Sequence, residues 1–252
     1  GASGAIGTDA VVKAPADGYT LVFGNTGPNA VIQLLTKVPY DPVRDLRPIS
    51  TVALTPMILA VPADSPARTV KEFLSYARQQ DGALNYGSVG IGSLSHLTGE
   101  LFNDMANLKI QHIPYSGGAP MLSAFAGGQL HAAFVTGLDG ASLLASGKVR
   151  YLGVATPQRT DIVPGLPAIA EEIPGFSSTA WFGILGPRGL SDDLLARLNS
   201  AVVAAVSRPD VRKLFSDRRI EARSSTPLEM ERRIADEMQK WGQVIRKSGI
   251  IP

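Results

Sequence analysis

Short β-branched runs alternate with segments of helical periodicity along most of this chain. That alternation confines it to the α/β class, with largely parallel sheets. Tyr19 to Phe23 reads as a strand bounded by Asp17-Gly18 and Gly24-Asn25. Ile49 to Ala53 and Met57 to Val61 read as two more, separated by Pro56. Thr69-Val70-Lys71-Glu72 is a capping box, and the helix it opens stops at Asp81-Gly82. Leu84 to Tyr86 is a strand, followed by a glycine-rich turn and a helix that buries Leu94, Leu97, Leu101 and Met105. Lys109 to Ile113, Ala132 to Val135 and Tyr151 to Ala155 are further strands, with helices near 119–126 and 140–146 between them.

The tail is helical. Ser191 caps a helix with Asp192 and Asp193 in its electropositive first turn and Pro209 beyond its end. Thr226-Pro227-Leu228-Glu229 is a second capping box, with proline at a position where a helix tolerates it. Ile234, Met238, Trp241 and Ile245 form one apolar stripe, and Gly249 ends the helix. Residues 63–178 hold a complete run of strand–helix units, whereas the flanks are incomplete alone. The expected organisation is a discontinuous first domain, 1–62 plus 179–252, with 63–178 inserted as a second α/β domain, and crossover strands near 55–63 and 176–183.

Composition removes several function classes. The chain has 252 residues, 44% hydrophobic and 18% charged, the range of a folded protein. No apolar run approaches the ~18 residues of a membrane helix, so no direct membrane insertion is expected. The opening Gly1-Ala2-Ser3-Gly4 has neither a charged start nor an apolar stretch, so any export signal is expected to have been removed. Without cysteine, disulfides, thiolate metal sites and cysteine nucleophiles are excluded together. Formal charge is +2, and the basic residues after Ser207 are interleaved with acids, which reads as a solvated helical surface; no nucleic-acid partner is expected.

The sharpest local motif is Gly87-Ser88-Val89-Gly90-Ile91-Gly92-Ser93, directly after a strand and before a helix. Glycines let backbone approach a ligand, and free amides at a helix start attract negative charge. Ser88 and Ser93 add hydroxyl donors. A dinucleotide fingerprint would need glycine where Ser95 stands, and no lysine follows to make a P-loop. A carboxylate or other small anion is the favoured occupant of Gly87, Ser88, Gly90, Gly92 and Ser93, against a tight turn with no ligand. Tyr115, in Pro114-Tyr115-Ser116-Gly117-Gly118, either lines a cleft or packs on a helix start. Asn25 and Thr26 follow a strand's carboxyl end, where ligands sit in open α/β sheets, with a plain turn as the rival reading. The catalytic search is negative: His96, His112 and His131 lack metal-ligand spacing, His96 reads as a structural hydrogen-bonder, and no nucleophile elbow occurs. Trp181-Phe182-Gly183 is either a hinge or core segment, or an aromatic cleft wall.

Asp17-Gly18-Tyr19-Thr20-Leu21 with Gly24-Asn25; Pro39-Tyr40-Asp41-Pro42; Leu84-Asn85-Tyr86-Gly87-Ser88 through His96-Leu97 to Glu100-Leu101-Phe102; His112-Ile113-Pro114-Tyr115; Gly127-Gly128-Gln129; and Ala180-Trp181-Phe182-Gly183 follow one another along the chain. In that order and at those spacings they resemble the Bug family of solute-binding receptors of tripartite tricarboxylate transporters. The resemblance implies a two-domain type II periplasmic binding protein fold that closes on a small organic acid, carboxylate or amino acid. It also implies periplasmic location, delivery to membrane permease subunits, no cofactor, no metal and no catalysis. The Gly87–Ser93 loop would then meet a ligand carboxylate, Thr26 would approach from the other domain, and Thr136 joins the candidates.

Two departures follow from the same comparison. The chain starts at a segment that family members precede with a strand, a ligand loop, a helix and a second strand. The first domain is therefore expected to be incomplete at its amino terminus, with strand 19–23 as an edge prone to self-association. Val135-Thr136-Gly137-Leu138-Asp139 replaces the usual Asp-Asn-Leu-Pro-Ser run, so ligand preference does not transfer. The alternatives are a truncated member without transport function and an α/β enzyme acting on a small anion.

Overall fold

The computed structural model describes residues 4–250. Along the chain run α1 (Ala5–Val12), β1 (Val22–Asn25), a π-helical turn (Gly27–Val31) leading into α2 (Ile32–Leu35), and β2 (Leu46–Pro62). Next come α3 (Val70–Gln79), β3 (Asn85–Ser88), α4 (Leu94–Ala106), β4 (Gln111–Pro114), α5 (Gly118–Ala126), β5 (Ala132–Thr136), α6 (Ala141–Ala145) and β6 (Val149–Val154). The last are β7 (Thr179–Pro187), α7 (Asp192–Ser207), α8 (Pro209–Ser216), β8 (Glu221–Ala222) and α9 (Pro227–Ser248).

These elements gather into two compact units. One is Thr55–Thr179; the other ends at Leu54 and resumes at Ala180. The division falls earlier than the expected 62/63 boundary because Met57–Pro62 is already paired with β5 and β6 of the inserted unit. The two strands expected at 49–53 and 57–61 are one continuous strand. Pro56 does not break it: the β8 ladder ends at Leu54 and the β5 ladder begins at Met57, so neither asks for the N–H that proline lacks.

In the outer unit the strand order is β1-β7-β2-β8. β1 pairs antiparallel with β7, Val22 opposite Leu185 and Asn25 opposite Phe182. The strand expected at 19–23 starts later: Asp17 Oδ1 accepts the Tyr19 amide at 3.0 Å, and this turn holds Tyr19 out in solvent. α9 covers the sheet. Thr226 Oγ1 accepts the Glu229 amide at 3.2 Å and Glu229 Oε2 accepts the Thr226 amide at 2.7 Å; Gly249, at φ 63, stops the helix. Its Met230 and Ile234 pack with Val11, Leu46, Trp181 and Leu185 in one apolar core.

The inserted unit has a five-stranded mixed sheet, β6-β2-β5-β3-β4. Four of its strands, β6, β5, β3 and β4, run in one direction and β2 alone runs against them. The expectation of largely parallel sheets therefore holds for this unit, whereas β1–β7 and β2–β8 of the outer unit pair antiparallel. The β3–α4–β4 segment supplies the helical crossover that parallel pairing requires. β2 lies antiparallel to both its neighbours. One sheet-bound core joins Ile58, Ala60, Met121, Phe125, Ala133 and Val154. Elsewhere Phe102 meets Phe73, Phe134 and Phe176 with ring centroids 6.1, 5.5 and 5.8 Å apart, the offset or edge-on contacts that aromatic quadrupoles favour.

α4 lies close to β3 only because residue 99 has no side chain. A Cβ on Gly99 would stand 2.2 Å from Tyr86 Cε2, and Tyr86 is buried. Gly99→Ala should therefore destabilise the protein by about 1–3 kcal/mol through overpacking. Urea unfolding measures this, and a variant as stable as wild type would mean that α4 shifts freely on the sheet.

Candidate functional site

β3, β4 and β5 run parallel, so their carboxyl ends at Ser88, Pro114 and Thr136 share one edge of the inserted sheet. In open α/β sheets that edge is where ligands bind. The glycine motif stands there, but β3 takes its first two residues. Gly87 serves packing and not ligand approach: a Cβ would come 2.3 Å from Leu130 Cδ1. Ser88 is fully buried.

The turn proper is Val89–Gly92. Gly90 has φ 137 and Gly92 φ 74, both in the left-handed region that favours glycine. Ser93 caps α4: its Oγ accepts the His96 amide at 3.3 Å and donates to the Gly90 carbonyl at 2.6 Å. Most amides of the turn are engaged within it. Val89 donates to Ser95 Oγ at 3.2 Å, Gly90 to Ser88 Oγ at 3.2 Å, Gly92 to His96 Nδ1 at 3.0 Å and Ser93 to the Gly90 carbonyl at 3.1 Å. Helix geometry leaves the first-turn amides of Leu94 and Ser95 without an intrahelical acceptor, and these are the donors an anion would meet.

Beside the turn lies a largely buried polar cluster that reading the chain in order does not reveal. The rings of His96, on α4, and His112, on β4, stack with centroids 3.7 Å apart and planes 12° from parallel. His112 Nε2 is 2.6 Å from Ser88 Oγ. Tyr86 donates to Glu100 Oε1 at 2.6 Å, and that carboxylate oxygen is 4.0 Å from His96 Nε2. Burial lowers both histidines from 6.5 to about 4, and His96 further disfavours charge on His112; burial likewise raises the Tyr86 hydroxyl, beside Glu100. The expectation that Ser88 offers its hydroxyl to a ligand is corrected, because that hydroxyl is shared between His112 and the Gly90 peptide groups. Ser88 and His112 resemble a nucleophile–base pair, yet a fully buried hydroxyl with these partners braces a turn.

The remaining candidates divide. Tyr115 is half-buried and packs on the apolar core below the edge; its amide donates to the Ser88 carbonyl at 3.0 Å. A Cβ on Gly90 would lie 3.5 Å from the Tyr115 carbonyl oxygen, so the two motifs are neighbours. Thr136 is half-buried, and its hydroxyl donates to Asp139 Oδ2 at 2.6 Å. In the outer unit, Asn25 Oδ1 accepts the Gly27 amide at 3.0 Å, closing the turn after β1. Thr26 is buried, its Oγ1 3.5 Å from the Trp181 amide. Buried Asn29 was not singled out in sequence: its Oδ1 accepts the Asn25 amide at 3.0 Å while its Nδ2 has no protein partner. Among the described residues no group of three or more His, Cys, Asp or Glu could hold a metal ion. No helix among them is long and apolar enough to cross a membrane.

A two-unit α/β chain with an amide-bearing turn at a sheet's carboxyl edge has the character of a solute-binding receptor. The family model of the tripartite tricarboxylate transporter family receptor (TctC) matches residues 1–250, and the chain belongs to that family of periplasmic binding proteins. It is 30% identical to BugT of Bordetella pertussis, over 99% of this chain and 77% of that one. Among solved structures, an R. palustris protein with adipate is 35% identical with TM-score 0.89, covering 100% of this chain and 85% of the other. MatC from Rhodopseudomonas palustris, with bound malate, is 29% identical with TM-score 0.81, covering 97% and 85%.

Proposed function

We propose that this protein is a periplasmic receptor that captures a small organic acid and delivers it to the permease subunits of a tripartite tricarboxylate-type transporter, without catalysing a reaction on it. The observation that carries the reading is the turn Val89–Gly92: two left-handed glycines turn the chain from β3 into α4, whose first-turn Leu94 and Ser95 amides have no intrahelical acceptor. Such donors suit a carboxylate and ask for no metal. The adipate and malate held by two relatives support a dicarboxylate as the first class to test.

Thermal unfolding with adipate, malate, monocarboxylates and amino acids tests it. A ligand that binds only the folded state adds RT ln(1 + [L]/Kd), about 2.7 kcal/mol at a hundredfold excess over Kd. At least one dicarboxylate should raise the melting temperature by several degrees, in a concentration-dependent manner, and be recovered unchanged. No shift with any carboxylate, or consumption of the acid, would overturn the reading.

A further inference from the structure

We infer that His96 is a positioning residue for ligand recognition: its ring nitrogen, backed by the stacked His112, holds the Gly92 amide and thereby sets the shape of the anion-binding turn. This deepens the proposed function and rests on it. The geometry assigns separate tasks to the two rings. His96 Nδ1 faces an N–H donor, Gly92, at 3.0 Å, so it must present a lone pair and the ring proton must sit on Nε2. A protonated or apolar side chain there leaves a buried amide without an acceptor. Because Gly92 is two residues from Leu94, the plane of that amide governs the chain's entry into α4.

His112 acts on the other end of the turn. Its Nε2 meets Ser88 Oγ at 2.6 Å, and Ser88 Oγ also accepts the Gly90 amide at 3.2 Å. The two rings, 3.7 Å apart, thus join the Gly90 and Gly92 peptide groups through one stack, with His96 buried and His112 half-buried. The titratable groups facing His96 are His112 on β4, Tyr86 on β3 and Glu100 one turn further along α4; β5, which also packs on α4, is Ala-Ala-Phe-Val-Thr and brings none. Nothing in that set offers an acceptor that could replace His96 Nδ1 for Gly92.

The test uses two replacements. His96→Leu removes the acceptor, whereas His96→Asn can return a carbonyl oxygen near the place of Nδ1. The Kd of the best dicarboxylate should rise about tenfold or more in His96→Leu, the scale of one buried hydrogen bond, and return to within a few-fold of wild type in His96→Asn. Nitrogen-15 spectra of wild type should show His96 neutral at pH 6 with its proton on Nε2, a signature that a space-filling role would not require. Melting temperatures report whether each variant folds. A folded His96→Leu that binds like wild type, or a proton on Nδ1, would overturn the inference while leaving the receptor reading intact. Wild type that binds no carboxylate would instead sink the receptor reading. If His96→Leu does not fold, the Nε2 tautomer and the affinity of His96→Asn still decide.

Discussion

Gly90→Val should abolish measurable carboxylate binding while leaving the protein folded. At φ 137 a β-branched residue is strained whatever the space around it, by about 1–3 kcal/mol. The turn relieves that strain by rotating its peptide planes, which disconnects Gly90 from Ser88 Oγ and Ser93 Oγ from the Gly90 carbonyl. The amides at the start of α4 then no longer converge. A loss of more than about a hundredfold in affinity is expected, equivalent to ~2.7 kcal/mol. Stability should fall less, because residue 90 is only half-buried and the nearest atom to its would-be Cβ, the Tyr115 carbonyl oxygen, is at ordinary contact distance, 3.5 Å. Calorimetric titration beside thermal unfolding makes the comparison. Unchanged affinity in a folded Gly90→Val protein would place the ligand elsewhere.

The second large effect is a loss of stability in mild acid. Burial holds His96 and His112 near 4 in the folded protein, against 6.5 when exposed. The unfolded chain therefore takes up protons first as pH falls. The contribution is fully present above pH 6.5 and is lost progressively as pH drops toward 4. Exclusion of a single proton across that window is worth roughly 3 kcal/mol, and the second ring adds to it. Urea unfolding at pH 7, 6, 5 and 4.5 should show the decline, and a double variant with His96→Asn and His112→Gln should show much less of it. Equal pH dependence in the two proteins would assign the decline to carboxylates and not to this pair. The acid should act at the Val89–Gly92 turn first, since the rings hold Gly90 and Gly92.

Much of the fold was legible in local chemistry. The capping residues Thr69, Ser191 and Thr226 each accept the amide three residues on, because such hydroxyls satisfy orphan donors whatever surrounds the helix. The apolar stripe of α9 and the strand–turn–helix around Gly90 follow equally from periodicity and glycine's conformational freedom. What sequence alone determined, then, was element type, the caps, and a glycine turn between a strand and a helix. Direction and partnership were beyond it. Whether β2 runs parallel or antiparallel to β5, and whether Pro56 interrupts a ladder, depends on strands more than seventy residues away in sequence. The role of Ser88 turned on the same thing. A serine beside glycines reads as a ligand donor until β4 places His112 against it, 24 residues on. Hydroxyls and imidazoles hydrogen-bond to whatever the tertiary structure brings within reach, so their role is set by neighbours distant in sequence and not by the residues beside them.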